Sequence, residues 1–371
     1  MKIDNILKKG DIDFLVTAIE AQKSLYREYP EYPYSPRDAH DEVSQSEASR
    51  VVESIDEYAC ANSDLKAINL ILKIKKGKFK NIKLHSTKST DINFVQSANP
   101  KKINAFVLCW DSGLHSYAYL EALYRRNYIP SEIIVVRRDS NAETQARPSL
   151  IRKVARKIKG VYNKRKNTRK ERQSELRKRL TPLEYKDINL EDKPDYKKYC
   201  NKVTSISAKS INDKAVIRSV KKAKSDIGVF TGGGILKKQF FDLDKKYIHV
   251  HPGVLPDIRG ADCLLWSILL RGRPGMTCFF MNKYIDQGEI LLSKEYETPR
   301  LDLSDFESKE IYTALLKSYD IWLRADCLVS LCEESDGLAK LHPKSQDPEE
   351  GRQYHFMEQS FRDDFISSIF K

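Results

Sequence analysis

The sequence predicts an α/β protein built on a doubly wound, mainly parallel sheet. Short apolar runs recur, at INAFVLCW, IIVV and IGVF, and are typical of strands buried on both faces. Helical patterns separate these runs, as in HSYAYLEALYRRN and INDKAVIRSVKKAKS. Alternating strands and helices of this kind indicate a sheet covered by helices on both sides.

Residues 1–100, before the first strand, are predicted to form a helical accessory domain. IDFLVTAIEAQKSLY places apolar residues near the helical period, and SEASRVVESIDEYA indicates a second helix. Pro30, Pro33 and Pro36 exclude a helix between the two segments. No residue in this region points to chemistry.

The first strand ends at Asp111, Ser112 and Gly113, and His115 follows at the start of the next helix. Functional sites of doubly wound sheets lie at the carboxyl ends of strands. We therefore expect Asp111, Ser112 and His115 near the active-site edge, where they would contact a substrate. The alternative is that they only cap the helix, and for Ser112 this is at least as good an explanation.

The basic segment at residues 151–180 carries most of the net charge of +13. It holds fourteen Lys and Arg against two Glu, a net charge of +12, so the rest of the chain is close to neutral. Its first part has the pattern of a basic amphipathic helix, which could simply cover the sheet. The polar continuation NKRKNTRKERQSELRKRL is expected to be an exposed helical arm or loop outside the core. Three partners would suit it: nucleotide-sugar phosphates, an anionic membrane surface or RNA.

Two histidines stand one step apart in the short strand YIHVH. Residues i and i+2 of a strand point to the same side, so His249 and His251 share one face at the carboxyl end. Asp286 comes later, in a turn before Gly288. Packing alone does not explain two imidazoles and a carboxylate in these positions, and we expect the chemistry here.

The order of motifs around these residues resembles a known family. GGGIL at a strand end is followed by H-x-H-P-G-x-L-P-x-x-R-G, then G-x-T, then I-D-x-G-x-I-L. This string is similar to the formyltransferases that use 10-formyltetrahydrofolate, over roughly residues 103–295. The resemblance implies a formyltransferase-type, Rossmann-like fold and an enzyme that transfers a formyl group to a primary amine. Family members act on glycinamide ribonucleotide, methionyl-tRNA, amino sugars of nucleotide sugars or hydroxyornithine, and one hydrolyses formyltetrahydrofolate.

The resemblance also implies catalytic roles. The family uses Asn-x-His and the Asp of the D-x-G turn, so His251 matches the histidine, Asp286 matches the aspartate, and His249 replaces the asparagine. In the family, the amide and the histidine stabilise the developing oxyanion, and the aspartate orients the histidine. A neutral imidazole at residue 249 is expected to donate one hydrogen bond in place of the amide. Arg259, in the L-P-x-x-R-G loop, is expected to bond backbone carbonyls.

The resemblance places the folate between the loop after the glycine-rich strand and the segment before the D-x-G turn. The residues at those positions are Gly233, Gly234, Ile235, Leu236, Tyr284 and Ile285.

The C-terminal part of the sequence bears on the choice of acceptor. Residues 296–371 are predicted to be a helical extension, with one long helix in ESKEIYTALLKSYDIWLRADCLVSLCEE, beyond a catalytic domain at residues 101–295. A tRNA formyltransferase usually has a β-barrel in this place. We therefore expect a nucleotide-activated amino sugar as acceptor and no nucleic acid. The alternatives are a folate-linked hydrolase of the same fold, or a catalytically degenerate binding protein with a basic arm.

The cysteine spacing and the lengths of the apolar runs predict the redox state, metal content and location of the protein. The seven cysteines show no C-x-x-C pair and no spacing typical of metal ligands, so we expect reduced thiols and no metal. No apolar run is long enough to span a membrane, and a cytoplasmic protein is expected. A homodimer is compatible with the sequence.

Overall fold

A computed structural model describes residues 100–111, 113–138, 170–232, 234–299, 301–347, 352–354, 356–357 and 359–370. The predicted accessory domain and residues 151–169 of the basic segment lie outside these residues. Among the described residues, none of the helices has the length and apolarity needed to cross a membrane.

The core of the fold is a seven-stranded sheet in the order β3-β2-β1-β4-β5-β7-β8. The first five strands in this order are parallel, and β7 and β8 are antiparallel to their neighbours. The bounds are β1 Lys101–Trp110, β2 Tyr128–Arg138, β3 Val203–Ala208, β4 Ile227–Phe230, β5 Lys246–His251, β7 Gly275–Phe280 and β8 Ile290–Glu295. The predicted doubly wound, mainly parallel sheet is confirmed. The strand order reverses between β1 and β4, where such sheets form a crevice at their carboxyl ends.

Helices cover both faces of the sheet. The longer ones are α1 Leu114–Arg125, α2 at residues 170–180, α3 Lys214–Lys222, α4 Cys263–Arg271, α5 Ser308–Ala314, α6 Asp320–Glu334 and α7 Gln359–Phe370. Side chains of β1 alternate between the two layers: Val107 packs with α1 and α6, and Phe106 packs with α3. This alternation explains why β1 is apolar from Ala105 to Trp110.

The polar continuation of the basic segment was predicted to stay outside the core, and for residues 170–180 that is wrong. α2 buries Leu176 and Leu180, one helical turn apart, in the main core. The guanidinium groups of Arg172 and Arg179 lie over the ring of Phe306 at 5.1 and 5.3 Å. Long basic side chains cover apolar surface with their stems, so a sequence rich in charge can still dock.

The long helix predicted near the C-terminus is present but irregular. α5 and α6 are joined by a π-helical segment, Leu315–Tyr319, so the helix continues from residue 308 to residue 334. α6 packs against α1 and against β5, β7 and β8. Trp322 on α6 stacks on Tyr185, with ring centroids 4.1 Å apart. The described tail thus lies against the sheet, and the domain division at residue 295 stays a prediction.

A second, two-stranded sheet joins the loop after β5 to the tail. β6, Ile258–Gly260, pairs in parallel with β9, Arg352–Tyr354. A Cβ at Gly260 would lie 2.1 Å from the Tyr354 carbonyl oxygen, and its φ is +101°. Only glycine allows the two backbones to approach this closely.

We expect the substitution Phe365→Ala to lower the free energy of unfolding by about 3–5 kcal/mol, because Phe365 on α7 is fully buried and its loss leaves a cavity. Denaturant unfolding followed by tryptophan fluorescence would measure it, since Trp110, Trp266 and Trp322 all lie in the described part. Leu183→Ala is the control, since Leu183 is 65% exposed and its loss should cost less than about 0.5 kcal/mol. Equal stability of the two variants would show that α7 is not part of the core.

Candidate active site

The two histidines lie on β5, in the centre of the sheet and close to its carboxyl end. His249 is opposite Phe279 of β7, and His251 is opposite Thr277. Their alternation with Ile248 and Val250, which point into the main core, puts both imidazoles on the opposite face. The shared face expected from the strand period is present.

His251 is 2% exposed and contacts polar atoms through both ring nitrogens. Nε2–H donates to the Ile258 carbonyl at 2.8 Å, and Nδ1 lies 3.5 Å from Oδ1 of Asp286. A carbonyl can only accept, so Nε2 carries the proton and Nδ1 of the neutral ring offers a lone pair. Burial lowers the pKa of His251. A proton taken up at Nδ1 would be stabilised by the Asp286 carboxylate.

The position of the Asp286 carboxylate is set by a hydrogen bond and by the conformation of its backbone. Its Oδ2 accepts a hydrogen bond from the Gly260 amide at 3.0 Å, and its backbone takes a left-handed φ of 55°. The turn then passes so close to β7 that a Cβ at Gly288 would lie 1.6 Å from the Phe280 carbonyl oxygen. The D-x-G spacing is therefore a steric requirement of this turn.

The G-x-T and H-P-G motifs form the floor of the site. Thr277 is fully buried, accepts from the Leu255 amide at 3.1 Å and donates to the Gly253 carbonyl at 2.7 Å. A Cβ at Gly253 would lie 2.9 Å from Nε2 of His251. These residues shape the loop that holds the His251 ring.

His249 is held in one tautomer. Its Nδ1–H donates to the Phe230 carbonyl at 3.1 Å, and its ring lies between Phe230 and Phe279. Burial, together with the charge of Arg324, lowers the pKa of His249 to about 4. The ring is thus neutral at pH 7 and its Nε2 is a lone pair, an acceptor where the sequence led us to expect a donor.

A buried ion pair behind β5 was not anticipated from the sequence. Arg324 donates from Nη1 to the Val250 carbonyl at 3.1 Å, between the two histidines, and from Nε to Asp320 at 2.8 Å. Asp320 is 1% exposed. The available signal was an Asp and an Arg four residues apart in the most apolar part of the helix.

Of the predicted substrate residues, Asp111 and His115 contact different groups. Asp111 lies within ion-pair distance of Lys193 and Arg137, at 3.5 and 3.6 Å. His115 is 36% exposed and lies 3.9 Å from Asp320, which links it to the ion pair behind β5. Ser112 lies outside the described residues.

The predicted folate residues differ in their exposure. Ile235 and Tyr284 are large apolar side chains exposed to 44% and 55%. Leu236 is buried in the core beside α3, so only its backbone could face a ligand. Gly234 has a φ of +103° and open space around its α-carbon, Ile285 is half-buried, and Gly233 lies outside the described residues.

Asn212 is a further residue of this region that the sequence did not single out. Its amide donates to the Ile235 carbonyl at 2.9 Å and accepts from the Lys237 amide at 2.8 Å. It therefore fixes the backbone of the loop after β4.

Arg259 contacts the tail, and one of its partners is a backbone carbonyl as expected. It donates to the Asp347 carbonyl at 3.1 Å and to the side-chain oxygen of Gln346 at the same distance. Within the part of the chain that the structure describes, no group of three His, Cys, Asp or Glu side chains is arranged to hold a metal ion.

Known proteins resemble parts of this chain. The curated methionyl-tRNA formyltransferase of Syntrophus aciditrophicus is 37% identical over 93 residues, which is 24% of this chain and 30% of that protein. That of Clostridium acetobutylicum is 32% identical over 126 residues, 33% of this chain and 38% of that protein. The chain thus matches about a third of the length of these relatives.

Solved structures that match parts of this chain include sugar N-formyltransferases. One from Shewanella sp. FDAARGOS_354 has a TM-score of 0.37 at 15% identity, covering 71% of this chain and 86% of that chain. The formyltransferase PseJ from Anoxybacillus kamchatkensis, solved with UDP-4,6-dideoxy-4-formamido-L-AltNAc and tetrahydrofolate, has a TM-score of 0.32 at 19% identity, covering 46% and 86%.

A family model described as "Formyl transferase" matches residues 131–311, the span that contains His249, His251 and Asp286. Over these residues the chain is similar to the formyl transferase family.

Proposed function

We propose that this protein transfers a formyl group from 10-formyltetrahydrofolate to a primary amine. The arrangement of His249, His251 and Asp286 at the carboxyl edge of the sheet carries the proposal. It offers a buried imidazole beside a fixed carboxylate and a second imidazole with an open lone pair. The family match over residues 131–311 supports the same reaction.

The formyl donor is assigned to the surface between the loop after β4 and the turn before β8. Exposed apolar side chains such as Ile235 and Tyr284 gain free energy when a flat ring covers them. The open space at Gly234 lets a ligand approach the backbone. These features suit a pterin held by backbone hydrogen bonds.

The chemistry requires a base and an oxyanion donor. The amine nitrogen attacks the formyl carbon, the carbonyl oxygen becomes an oxyanion, the bond from carbon to N10 breaks, and N10 takes up the proton that the amine loses. The Nε2 lone pair of His249 accepts the amine proton, since Phe230 holds the other ring nitrogen protonated, and passes it to N10 as the bond from carbon to N10 breaks. His251, protonated from solvent at Nδ1 before the attack and held beside Asp286, places its positive charge near the oxyanion and stabilises it.

For the acceptor we propose an amino sugar activated by a nucleotide. In the described tail, residues 301–347 and 352–370 with their gaps, the structure forms helices and one three-residue strand, and a tRNA-binding β-barrel is not built from them. Arg137 and Lys193 are exposed at the carboxyl edge near Asp111, where they could meet phosphates.

The proposed function is tested by incubating the full chain with 10-formyltetrahydrofolate and separate acceptors: nucleotide-activated amino sugars, free amino sugars and methionyl-tRNA. Tetrahydrofolate release and the mass of the acceptor are followed. Formylation of a nucleotide-linked sugar alone supports the acceptor assignment. Formate release that is independent of any amine would indicate a hydrolase, and no folate binding in calorimetry would indicate a binding protein of another kind.

The substitutions His251→Ala and Asp286→Asn should each reduce kcat by about 10²–10⁴-fold, because each removes a group that moves or stabilises a proton. His342→Ala is the matched control, since His342 is exposed. Thermal melts check that each variant is folded. Wild-type turnover in either site variant would remove it from the catalytic machinery.

His249 should be the Nδ1–H tautomer at pH 7 and should titrate near pH 4, below the usual value of about 6.5. The lowered pKa means that the folded protein disfavours the charged ring, so His249 reduces stability as the pH falls from about 6.5 towards 4. Nitrogen-15 NMR of histidine-labelled protein measures both properties, with the spectrum of His249→Asn giving the assignment. An Nε2–H tautomer would contradict the role as proton acceptor.

A further inference from the structure

We propose that Gln346, in the C-terminal tail, is a positioning residue of this site: its side-chain amide ties the loop that holds His251 to the turn that carries Asp286. The inference rests on the proposed function and assigns it a component from outside residues 131–311, the span of the family match.

The amide of Gln346 contacts both loops at once. Its Oε1 accepts from Arg259, at 3.1 Å from Nη2 and 3.4 Å from Nε. Its Nε2 donates to the backbone carbonyls of Asp286, at 3.1 Å, and of Gly288. One end of the amide must accept and the other must donate, a combination that a carboxylate or an apolar side chain cannot provide.

Each of these two loops holds a part of the proposed machinery. The Ile258 carbonyl, next to Arg259, takes the Nε2–H of His251, and the Gly260 amide binds the Asp286 carboxylate. The separation of 3.5 Å between His251 and Asp286 therefore depends on how the two loops stand relative to each other. Gln346 is hydrogen-bonded to both loops and therefore fixes their relative position.

The tail is anchored on both sides of Gln346. Before it, Lys344 exchanges two backbone hydrogen bonds of 2.8 Å with Ile290 at the start of β8. After it, β9 pairs with β6, and the Met357 amide donates to Asp262 at 3.0 Å. The backbone on either side is thus held independently, so the loss of the amide alone should leave the tail in place.

The test compares Gln346→Met, which removes all these hydrogen bonds at similar size, with Gln346→Glu, which keeps the contact to Arg259 but faces two carbonyls with a carboxylate. Gln359→Glu, at an exposed position of α7, is the control for the change in charge. We expect kcat to fall about 10–100-fold in both Gln346 variants, with the KM of the formyl donor nearly unchanged, because positioning errors act on the chemical step.

The second readout does not need turnover. Asp286 raises the pKa of His251 against the effect of burial, so a loosened turn should lower the NMR titration midpoint of His251 in Gln346→Met by about half a pH unit or more. A purely structural role would lower the melting temperature and leave this midpoint unchanged.

Two outcomes overturn the proposal. One is a Gln346→Met protein that is folded and has the wild-type His251 titration. The other, if that variant does not fold, is a Gln346→Glu protein with wild-type kcat. A wild-type chain without formyl transfer would instead refute the proposed function, and the titration experiment would still decide the role of Gln346.

Discussion

The hydrogen bond from the Gly260 amide to the Asp286 carboxylate is the interaction on which the rest of the site depends. It joins two loops that leave the sheet at different strands, and it holds a mostly buried charge that would otherwise be poorly solvated. Three neighbouring residues allow the Gly260 loop and the Asp286 turn to come this close. Gly260 allows β9 to pair behind it, Gly288 lets the turn pass close to β7, and Thr277 fixes the floor under His251. A site assembled from loops becomes rigid because each loop is bound to an element of the sheet.

The protonation state of the two histidines also depends on the positive charge of Arg324, which lies behind β5. A buried guanidinium is costly unless it is paired, and Arg324 is paired with Asp320 and with the Val250 carbonyl. Its position beside both histidines disfavours their protonated forms, in addition to the effect of burial. The proposed reaction removes a proton from an amine, and it therefore requires a neutral imidazole with a free lone pair, the role proposed for His249. α6 supplies this charge, and the π-helical segment before it lies directly next to Asp320.

The spacing of apolar residues along the sequence predicted the strands and the faces of their side chains. It did not predict side chains that reach the site from distant parts of the chain. The strand period put His249 and His251 on one face, and the buried runs predicted the parallel strands. Arg324 and Gln346 reach the site through tertiary packing, 73 and 95 residues after His251. The spacing of Asp320 and Arg324 is a weak local signal for the first, and no local pattern marks the second. α2 was misjudged because only Leu176 and Leu180 among its residues are fully buried, and two leucines in a basic segment are a weak signal. The helical accessory domain at residues 1–100 stays a prediction.

The histidine at residue 249, where the resembled family has an asparagine, changes which hydrogen bonds this position can make, and the fold determines which nitrogen is left for a ligand. An amide offers a donor and an acceptor together, whereas a neutral imidazole divides them between its two nitrogens. The Phe230 carbonyl takes the donor, so the nitrogen left for a ligand accepts. In the proposed reaction the oxyanion must then rely on His251, while the amine gains a base within the strand itself. On this reasoning the substitution redistributes roles among the same three positions, and the tautomer imposed by β4 decides which role each histidine takes.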